Sequence, residues 1–304
     1  MPKNCIYLIA ILSVALSYAS AQTDNRIDSY FQEIRNGKNK ELPFSINDSN
    51  SDALISSLLP YLKDSSEAVR KQDILILKNI GLNSKQPSIR KKITLHIVLL
   101  IAEKNQQSSV VAALKKFKKE DFDKTAIDSL LNFLNKKHSQ KNELIRLIGF
   151  VSGPEAVEPI KQFSDPKNTP SIRWSALLAM SRLGDIDATN SVLQRVRKLK
   201  VSDEVVNQLF PDLIYTHQKQ VFDYMVEVLM SDLANCESAD NDNPTAILCG
   251  YRVMEQLPPA IKNYPLTLDA SGDVKTNDYK KSLALVRKWF QENKDIYIID
   301  NSAF

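Results

Sequence analysis

The sequence predicts an all-α protein built from successive helical hairpins. Along most of the 304 residues, apolar side chains recur at intervals of three or four positions, the period of one helix face. The chain holds only 7 glycines, where average usage would give roughly 21, so folds that depend on many glycine turns are disfavoured. The only strand candidate is the short β-branched segment 296–299, close to the C-terminus.

The first 21 residues have the features of a secretory signal. Lys3 precedes an apolar run over 5–16, and Ala19, Ser20 and Ala21 form an A-x-A cleavage site. The apolar run is shorter than the ~20 residues that a transmembrane helix needs, and no later segment is long and apolar enough to span a bilayer. We therefore expect cleavage after Ala21 and a secreted or periplasmic protein without a membrane span.

The remaining chain divides into a polar N-terminal cap or linker at 22–50, a helical array at 51–260 and a C-terminal region at 261–304. The cap contains a short predicted helix at 24–35, and the C-terminal region a loop and a capping helix at 279–290. Short polar breaks separate the helices of the array, which indicates antiparallel neighbours. The predicted array helices span 54–62, 69–80, 89–102, 110–117, 127–134, 144–151, 156–163, 172–183, 192–199, 205–214, 221–233 and 246–257.

Three glycines are spaced as a repeat would require. Gly81, Gly149 and Gly184 each follow apolar residues near the end of a predicted helix. Their separations are close to two units and one unit of a ~34-residue period, within the range of helical-hairpin repeats. We expect each of the three to stop its helix.

Two segments share a more detailed pattern. An aspartate ends a first helix, a β-branched residue followed by an arginine opens a second helix, and a glycine lies 11 positions after that arginine. The residues are Asp64, Val69, Arg70 and Gly81 in one segment, and Asp165, Ile172, Arg173 and Gly184 in the other. This pattern resembles that of HEAT repeats, and tetratricopeptide repeats of similar period have a W-x₂-L-G-x₂-Y signature that is missing here.

The resemblance to HEAT repeats implies a right-handed α-α superhelix, a solenoid of about six helical hairpins over the array. Each hairpin buries its apolar face by stacking on its neighbours. In that family the second helix of each hairpin lines the concave surface, and its arginine commonly pairs with an aspartate of a neighbouring turn. The resemblance therefore implies that Asp64, Arg70, Asp165 and Arg173 form a structural polar ladder, buried or half-buried.

Cleavage of the predicted signal removes Cys5, so the mature chain keeps two cysteines, Cys236 and Cys249. In an oxidising compartment such a pair favours a disulfide, here across the polar stretch 237–244, which we expect to join two antiparallel helices. Two free, buried thiols are the alternative, because an isolated cysteine often serves as a small apolar side chain.

Several chemical classes lack their signatures. There is no G-x-G-x-x-G, P-loop or G-x-S-x-G pattern, and the three histidines and remaining cysteines have no zinc-ligand spacing. We therefore assign no catalytic residue, no metal ligand and no cofactor. The net charge of +4 is small for this length, so nucleic acid is not an expected partner.

The candidate partner-binding residues lie on predicted second helices. Trp174, Leu178 and Arg182 form a stripe beside the core positions of their helix, and Lys71 and Lys78 lie on an earlier second helix. An exposed tryptophan there would anchor a partner, whereas its alternative role is packing on the next repeat.

The densest basic region is a solvated face or a site for an anionic polymer. It comprises Lys115, Lys116, Lys118, Lys119, Lys136, Lys137 and Lys141.

The expected function is a non-catalytic interaction scaffold outside the cytoplasm. Its concave face would bind a protein, or an extended polymer. The alternative is a carbohydrate-active enzyme of the helical-toroid type, a lyase or hydrolase. Such enzymes gather aromatic sugar platforms with paired carboxylates or a His/Tyr/Arg set, whereas this chain has two tryptophans and three scattered histidines.

Overall fold

The structure, a computed structural model, describes residues 25–38, 51–238, 245–302 and 304. The predicted signal at 1–21 and most of the polar stretch 237–244 lie outside these residues. Within them the protein is all-α, as the sequence predicts, and β-structure is limited to isolated bridges. The strand candidate at 296–299 contributes one such bridge, between Ile261 and Ile299. No helix of the described ranges has the length and apolar character to cross a membrane.

The described residues divide into two compact units, with the division between Gln140 and Lys141. The helices described in the first unit are α1 (25–35), α2 (Ser51–Leu58), α3 (Glu67–Asn83), α4 (Pro87–Leu99), α5 (Gln107–Leu114) and α6 (Lys124–Leu134). Short 3-10 turns extend α2 and α4 at their C-terminal ends. Helix α3 packs on both α4 and α5, and α4 also packs on α6, so helices contact their second as well as their first neighbours along the chain.

The second unit follows the same rule of alternate packing. The helices described here are α7 (Lys141–Val151), α8 (Val157–Lys161), α9 (Pro170–Arg182), α10 (Ile186–Val196), α11 (Asp203–Thr216), α12 (Lys219–Met230), α13 (Gly250–Gln256) and α14 (Tyr279–Asn293). Helix α9 contacts α7, α10 and α11, and α11 in turn contacts α13, so α9 lies within a row of odd-numbered helices.

Two helices begin elsewhere than the periodicity predicts. Helix α10 begins at Ile186 rather than 192, because the Asp185 carboxylate accepts a hydrogen bond from the Ala188 amide and caps the first turn. Helix α13 begins at Gly250 rather than 246, because the preceding residues pair in an antiparallel bridge between Cys236 and Ile247.

The three repeat-spaced glycines serve two different purposes. Only Gly184 ends a helix as expected, with a left-handed φ of +93° directly after α9. Gly81 and Gly149 lie inside α3 and α7, where the expected helix stops are wrong. A Cβ at Gly81 would lie 2.6 Å from the Phe117 ring, and one at Gly149 2.6 Å from the hydroxyl of Tyr215. These two glycines allow close approach between helices.

Cys236 and Cys249 are joined by a disulfide bond. Cys236 lies six residues beyond the end of α12, and Cys249 immediately precedes α13. Both cysteines are fully buried. The bond therefore ties the connection between α12 and α13 to the N-terminal end of α13.

The expected Asp–Arg ladder does not form between the four named residues. The Asp64 carboxylate pairs with Arg35, and Arg70 donates instead to the backbone carbonyl of Asp64, 2.6 Å away. Asp165 is exposed, and Nε of Arg173 is buried without a partner. For Arg70 the reason is that its side chain, near the start of α3, reaches the free carbonyl groups of the preceding turn, those of Asp64 and Ser65.

Carboxylate partners for other arginines come from more distant positions in the chain. Arg90 pairs with Asp121 over 2.6 Å, Arg146 with Asp212 over 2.5 Å, and Arg252 with Asp203 over 2.8 Å.

Candidate binding face on the second unit

Three predicted binding residues lie on α9, and they differ in how far their side chains are exposed to solvent. Trp174 is half-buried, whereas Leu178 is fully buried at 0% exposure. Because α7 and α11 both pack on α9, the stripe beside the core positions is covered as well. The prediction that Leu178 contacts a partner is therefore wrong.

The Trp174 indole is held by a carboxylate of the neighbouring helix. Its Nε1 donates to Oδ2 of Asp212 over 2.6 Å, and Arg146 on α7 donates to Oδ1 of the same carboxylate over 2.5 Å. Arg146 also donates from Nε to the hydroxyl of Ser175, over 3.1 Å. One aspartate on α11 thus orients a cation from α7 and an aromatic ring from α9. We call Arg146, Trp174 and Asp212 the polar triplet.

A second cation lies over the tryptophan ring. The guanidinium carbon of Arg195 on α10 is 5.4 Å from the ring centroid, within the range of a cation–π contact. Arg195 is exposed, so its guanidinium remains accessible to a partner. The half-buried Trp174 is therefore flanked by a carboxylate at the indole nitrogen and by a cation at the ring.

Arg182 has a structural position. Its Nη1 donates to the carbonyl oxygen of Tyr215 over 2.7 Å, and its guanidinium lies 4.9 Å from the Phe150 ring centroid and 4.8 Å from that of Tyr215. Burial lowers the pKa of Arg182, and burial raises the pKa of Tyr215. Arg182 stabilises the packing of α7, α9 and α11, so its predicted role as an exposed partner contact is corrected.

A residue from the far end of the chain packs beside this arginine. The Phe304 ring lies 5.6 Å from the Phe150 centroid, edge to face, and 5.4 Å from that of Tyr215. In the same segment, Oδ1 of Asn301 accepts a 2.6 Å hydrogen bond from Nδ1 of His217. The aromatic pair Phe150 and Tyr215 therefore holds an aromatic side chain contributed by a distant segment. We call the pair Phe150 and Tyr215 the aromatic cleft.

His217 is itself unusual, because it closes α11 in the left-handed conformation with a φ of 53°. Burial and the nearby charge of Arg182 lower its pKa to about 4. The imidazole is therefore neutral at physiological pH and makes its hydrogen bond to Asn301 in that form.

The two predicted lysines belong to the first unit, on α3. Lys71 is exposed and pairs with Glu67 one turn earlier, over 2.6 Å, whereas Lys78 is half-buried. In the predicted basic region, the ammonium of Lys136 lies 4.8 Å from the Phe133 ring centroid. These contacts are typical of a solvated helix surface.

Sequence reasoning missed Arg146, Asp212, Tyr215 and Phe304. Arg146 carried a usable signal, because Ile145 and Arg146 repeat the β-branched–arginine pair that marks the two HEAT-like segments. Asp212 and Tyr215 carried none, since their roles depend on how α11 packs against α9.

No family model, curated protein or solved structure matches this chain.

Among the described residues, no group of three or more histidine, cysteine or acidic side chains is placed to hold a metal ion.

Proposed function

We propose that the protein is a non-catalytic interaction module whose second unit binds an extended segment of a protein partner along α9. The observation that carries this proposal is the position of Phe304, whose ring packs on Phe150 and Tyr215. The aromatic cleft thus already accommodates an aromatic side chain from a non-helical segment. A partner segment with an aromatic residue would use the same contacts.

The electrostatics of the face favour an acidic partner. Arg195 is exposed over the Trp174 ring, while the carboxylate of Asp212 is engaged by two donors. Cations at an interface steer an oppositely charged partner and set its orientation. We therefore assign a partner segment that combines an aromatic residue with acidic side chains.

The wider architecture in this proposal is the HEAT-like solenoid that the sequence resembles. Support comes from the alternate packing within each unit, in which odd-numbered helices contact odd-numbered ones. Helices α7, α9 and α11 would then be second helices of successive hairpins, and the binding face would be part of the concave surface.

The proposed site of action is outside the cytoplasm, in the secreted or periplasmic compartment. The predicted signal favours it, and so does the bond between Cys236 and Cys249, since disulfides persist in oxidising compartments.

The carbohydrate-active alternative receives less support from the same face. A lyase or hydrolase needs acids free to exchange protons or attack the substrate. Asp212, the acid of the polar triplet, is already bonded through both oxygens. We therefore retain the binding function.

A selection from a random peptide display library tests the proposal. We expect the purified protein to enrich peptides that contain an aromatic residue next to acidic residues. Replacing Arg195 with alanine should lower the affinity for the enriched peptides by up to about tenfold, because it removes one exposed cation. Replacing Phe304 with alanine should raise the affinity for the enriched peptides, because the aromatic cleft then has no internal occupant.

The matched control is Trp289→Phe, compared with Trp174→Phe. Trp289 lies on α14 and is also half-buried, but it packs on Tyr264 and Phe290, away from α9. Peptide affinity that falls equally in the two variants, or enrichment of no sequence class, would contradict the proposed site. Calorimetric titration gives the affinities, and circular dichroism shows whether each variant is folded.

A further inference from the structure

The first unit contains a cavity of about 550 Å³ that the proposed function does not use. It lies where the turn after α2 meets the segment before α5, and this volume is within the usual range for small-ligand sites. Its mouth has exposed charged side chains, and its deeper wall has half-buried and buried groups. Its charged and buried polar lining consists of Lys63, Asp64, Arg70, Glu103, Lys104 and Gln106.

Gln106 brings an unsatisfied acceptor to this cavity. The residue is 3% exposed, and its Oε1 is buried without a hydrogen-bond partner. The adjacent Gln107 is equally buried but fully bonded, because its Oε1 accepts from the amide and hydroxyl of Ser139 and its Nε2 donates to the Ile101 carbonyl. A buried acceptor without a donor is costly, so Gln106 Oε1 marks a position for an N–H group.

Arg70 brings unused donors to the same cavity. Arg70 and Arg90 hold equivalent positions at the starts of α3 and α4, and each donates Nη1 to the carbonyl oxygen six residues earlier. Nε of Arg90 then binds the Asp121 carboxylate over 2.6 Å. Among the described residues nothing accepts from Nε of Arg70, since the Asp64 carboxylate is bonded to Arg35 and to the Ser66 amide.

The remaining surroundings favour a negative group beside Arg70. The Asp64 charge is offset by Arg35, and the mouth carries the two cations Lys63 and Lys104 against one acid, Glu103. Helix α5 begins at Gln107, directly after Gln106, so the positive end of its dipole lies at this wall.

Two other cavities among the described residues differ in this respect. In the cavity of about 460 Å³ in the second unit, Arg252 is already bonded to Asp203 and paired with Glu255. In the cavity beside α1, the Tyr61 hydroxyl donates to Asp28. The cavity at Gln106 thus combines an orphan acceptor with an arginine whose described hydrogen bonds go to backbone carbonyl groups and not to a carboxylate.

We propose that this cavity binds an α-carboxylate that carries an adjacent N–H group, as a peptide C-terminus or a free amino acid does. The carboxylate accepts from Arg70, and the N–H donates to Oε1 of Gln106. The two groups are neighbours in such a ligand, and they complete the two unsatisfied partners of the wall.

Ligand-observed NMR with three probes tests this assignment. N-acetyl-L-alanine represents a peptide end, L-alanine a free amino acid, and N-acetyl-L-alanine amide lacks the carboxylate. We expect at least one of the two carboxylates to bind at least tenfold more tightly than the amide, since hydrogen bonds to charged groups are the strong ones. The carboxylate that binds more tightly identifies the source. Binding of neither carboxylate at about 10 mM, a very weak affinity, would overturn the proposal.

Three variants locate the binding. Gln106→Met removes the orphan acceptor, so it should raise the melting temperature of the protein. It should also lower the affinity for the carboxylate probe at least tenfold. Arg70→Lys should lower the affinity for the carboxylate probe by a similar factor, because lysine lacks the guanidinium fork. Arg90→Lys is the matched control and should change affinity less than twofold. Equal affinities in the wild type, Gln106→Met and Arg70→Lys would refute the site even if a probe binds elsewhere.

Discussion

At the scale of single residues, Asp73 in the first unit is a buried acid whose burial opposes folding when it is charged. It lies on α3 at 0% exposure, and neither carboxylate oxygen has a hydrogen-bond partner. Burial raises its pKa to about 8, so the folded protein retains a proton there at neutral pH. The apolar periodicity of α3 already places Asp73 on the buried face, because it lies four residues after Val69 and four residues before Leu77.

The raised pKa predicts how stability depends on pH. Between the ordinary pKa of 3.8 and about 8, the unfolded chain has lost the proton that the folded chain keeps. The contribution of Asp73 to stability is therefore largest below pH 4 and declines as pH rises to 8, by about 1.4 kcal/mol per pH unit. Asp73→Asn should remove this slope, and Asp73→Leu should stabilise the protein above pH 7. Urea denaturation at several pH values measures both.

The control for this prediction is Asp128→Asn. Asp128 is half-exposed on α6 and pairs with Lys124 one turn earlier, so its replacement should leave the slope of the wild type in place. A slope that persists in Asp73→Asn would mean that another group titrates.

At the scale of helices, Gly149 and Gly184 were alike in the sequence but differ in what they tolerate. Gly149→Ala places a methyl group against the Tyr215 hydroxyl and Ala179, and overpacking of this kind costs about 1–3 kcal/mol. Gly184→Ala meets no atom within 4 Å, and its cost of about 1–2 kcal/mol comes from the left-handed backbone. Gly184→Asn should recover part of that loss, whereas Gly149→Asn should be worse than Gly149→Ala. Thermal unfolding of the four variants distinguishes the two mechanisms.

The helices themselves were largely predictable, and their ends were less so. Apolar spacing identifies α3, α7 and α9 because burial of one face dominates their energetics. The start of α10 depends on the single hydrogen bond from Ala188 to Asp185, and a cap of this kind is weak compared with burial. The candidate face was less predictable still, since the exposure of Trp174 and the burial of Leu178 depend on how α7 and α11 cover α9.

At the scale of the whole molecule, the Cys236–Cys249 bond is the one covalent link described between distant positions of the chain. Replacing both cysteines with serine should lower the free energy of unfolding by about 3 kcal/mol, because a loop of this size loses its constraint in the unfolded chain. A reductant should destabilise the wild type and leave the double variant unchanged, as measured by chemical denaturation. Equal stability of the two proteins without reductant would contradict this prediction.

The same bond also determines what a protease can do to the segment between the cysteines. A single cut there produces two polypeptides that remain one covalent molecule, so α13 and α14 stay attached to α12. On a non-reducing gel the cut protein migrates as one species, and a reductant releases a large N-terminal fragment and a small C-terminal one. The chain can thus be nicked between its last helices without being divided.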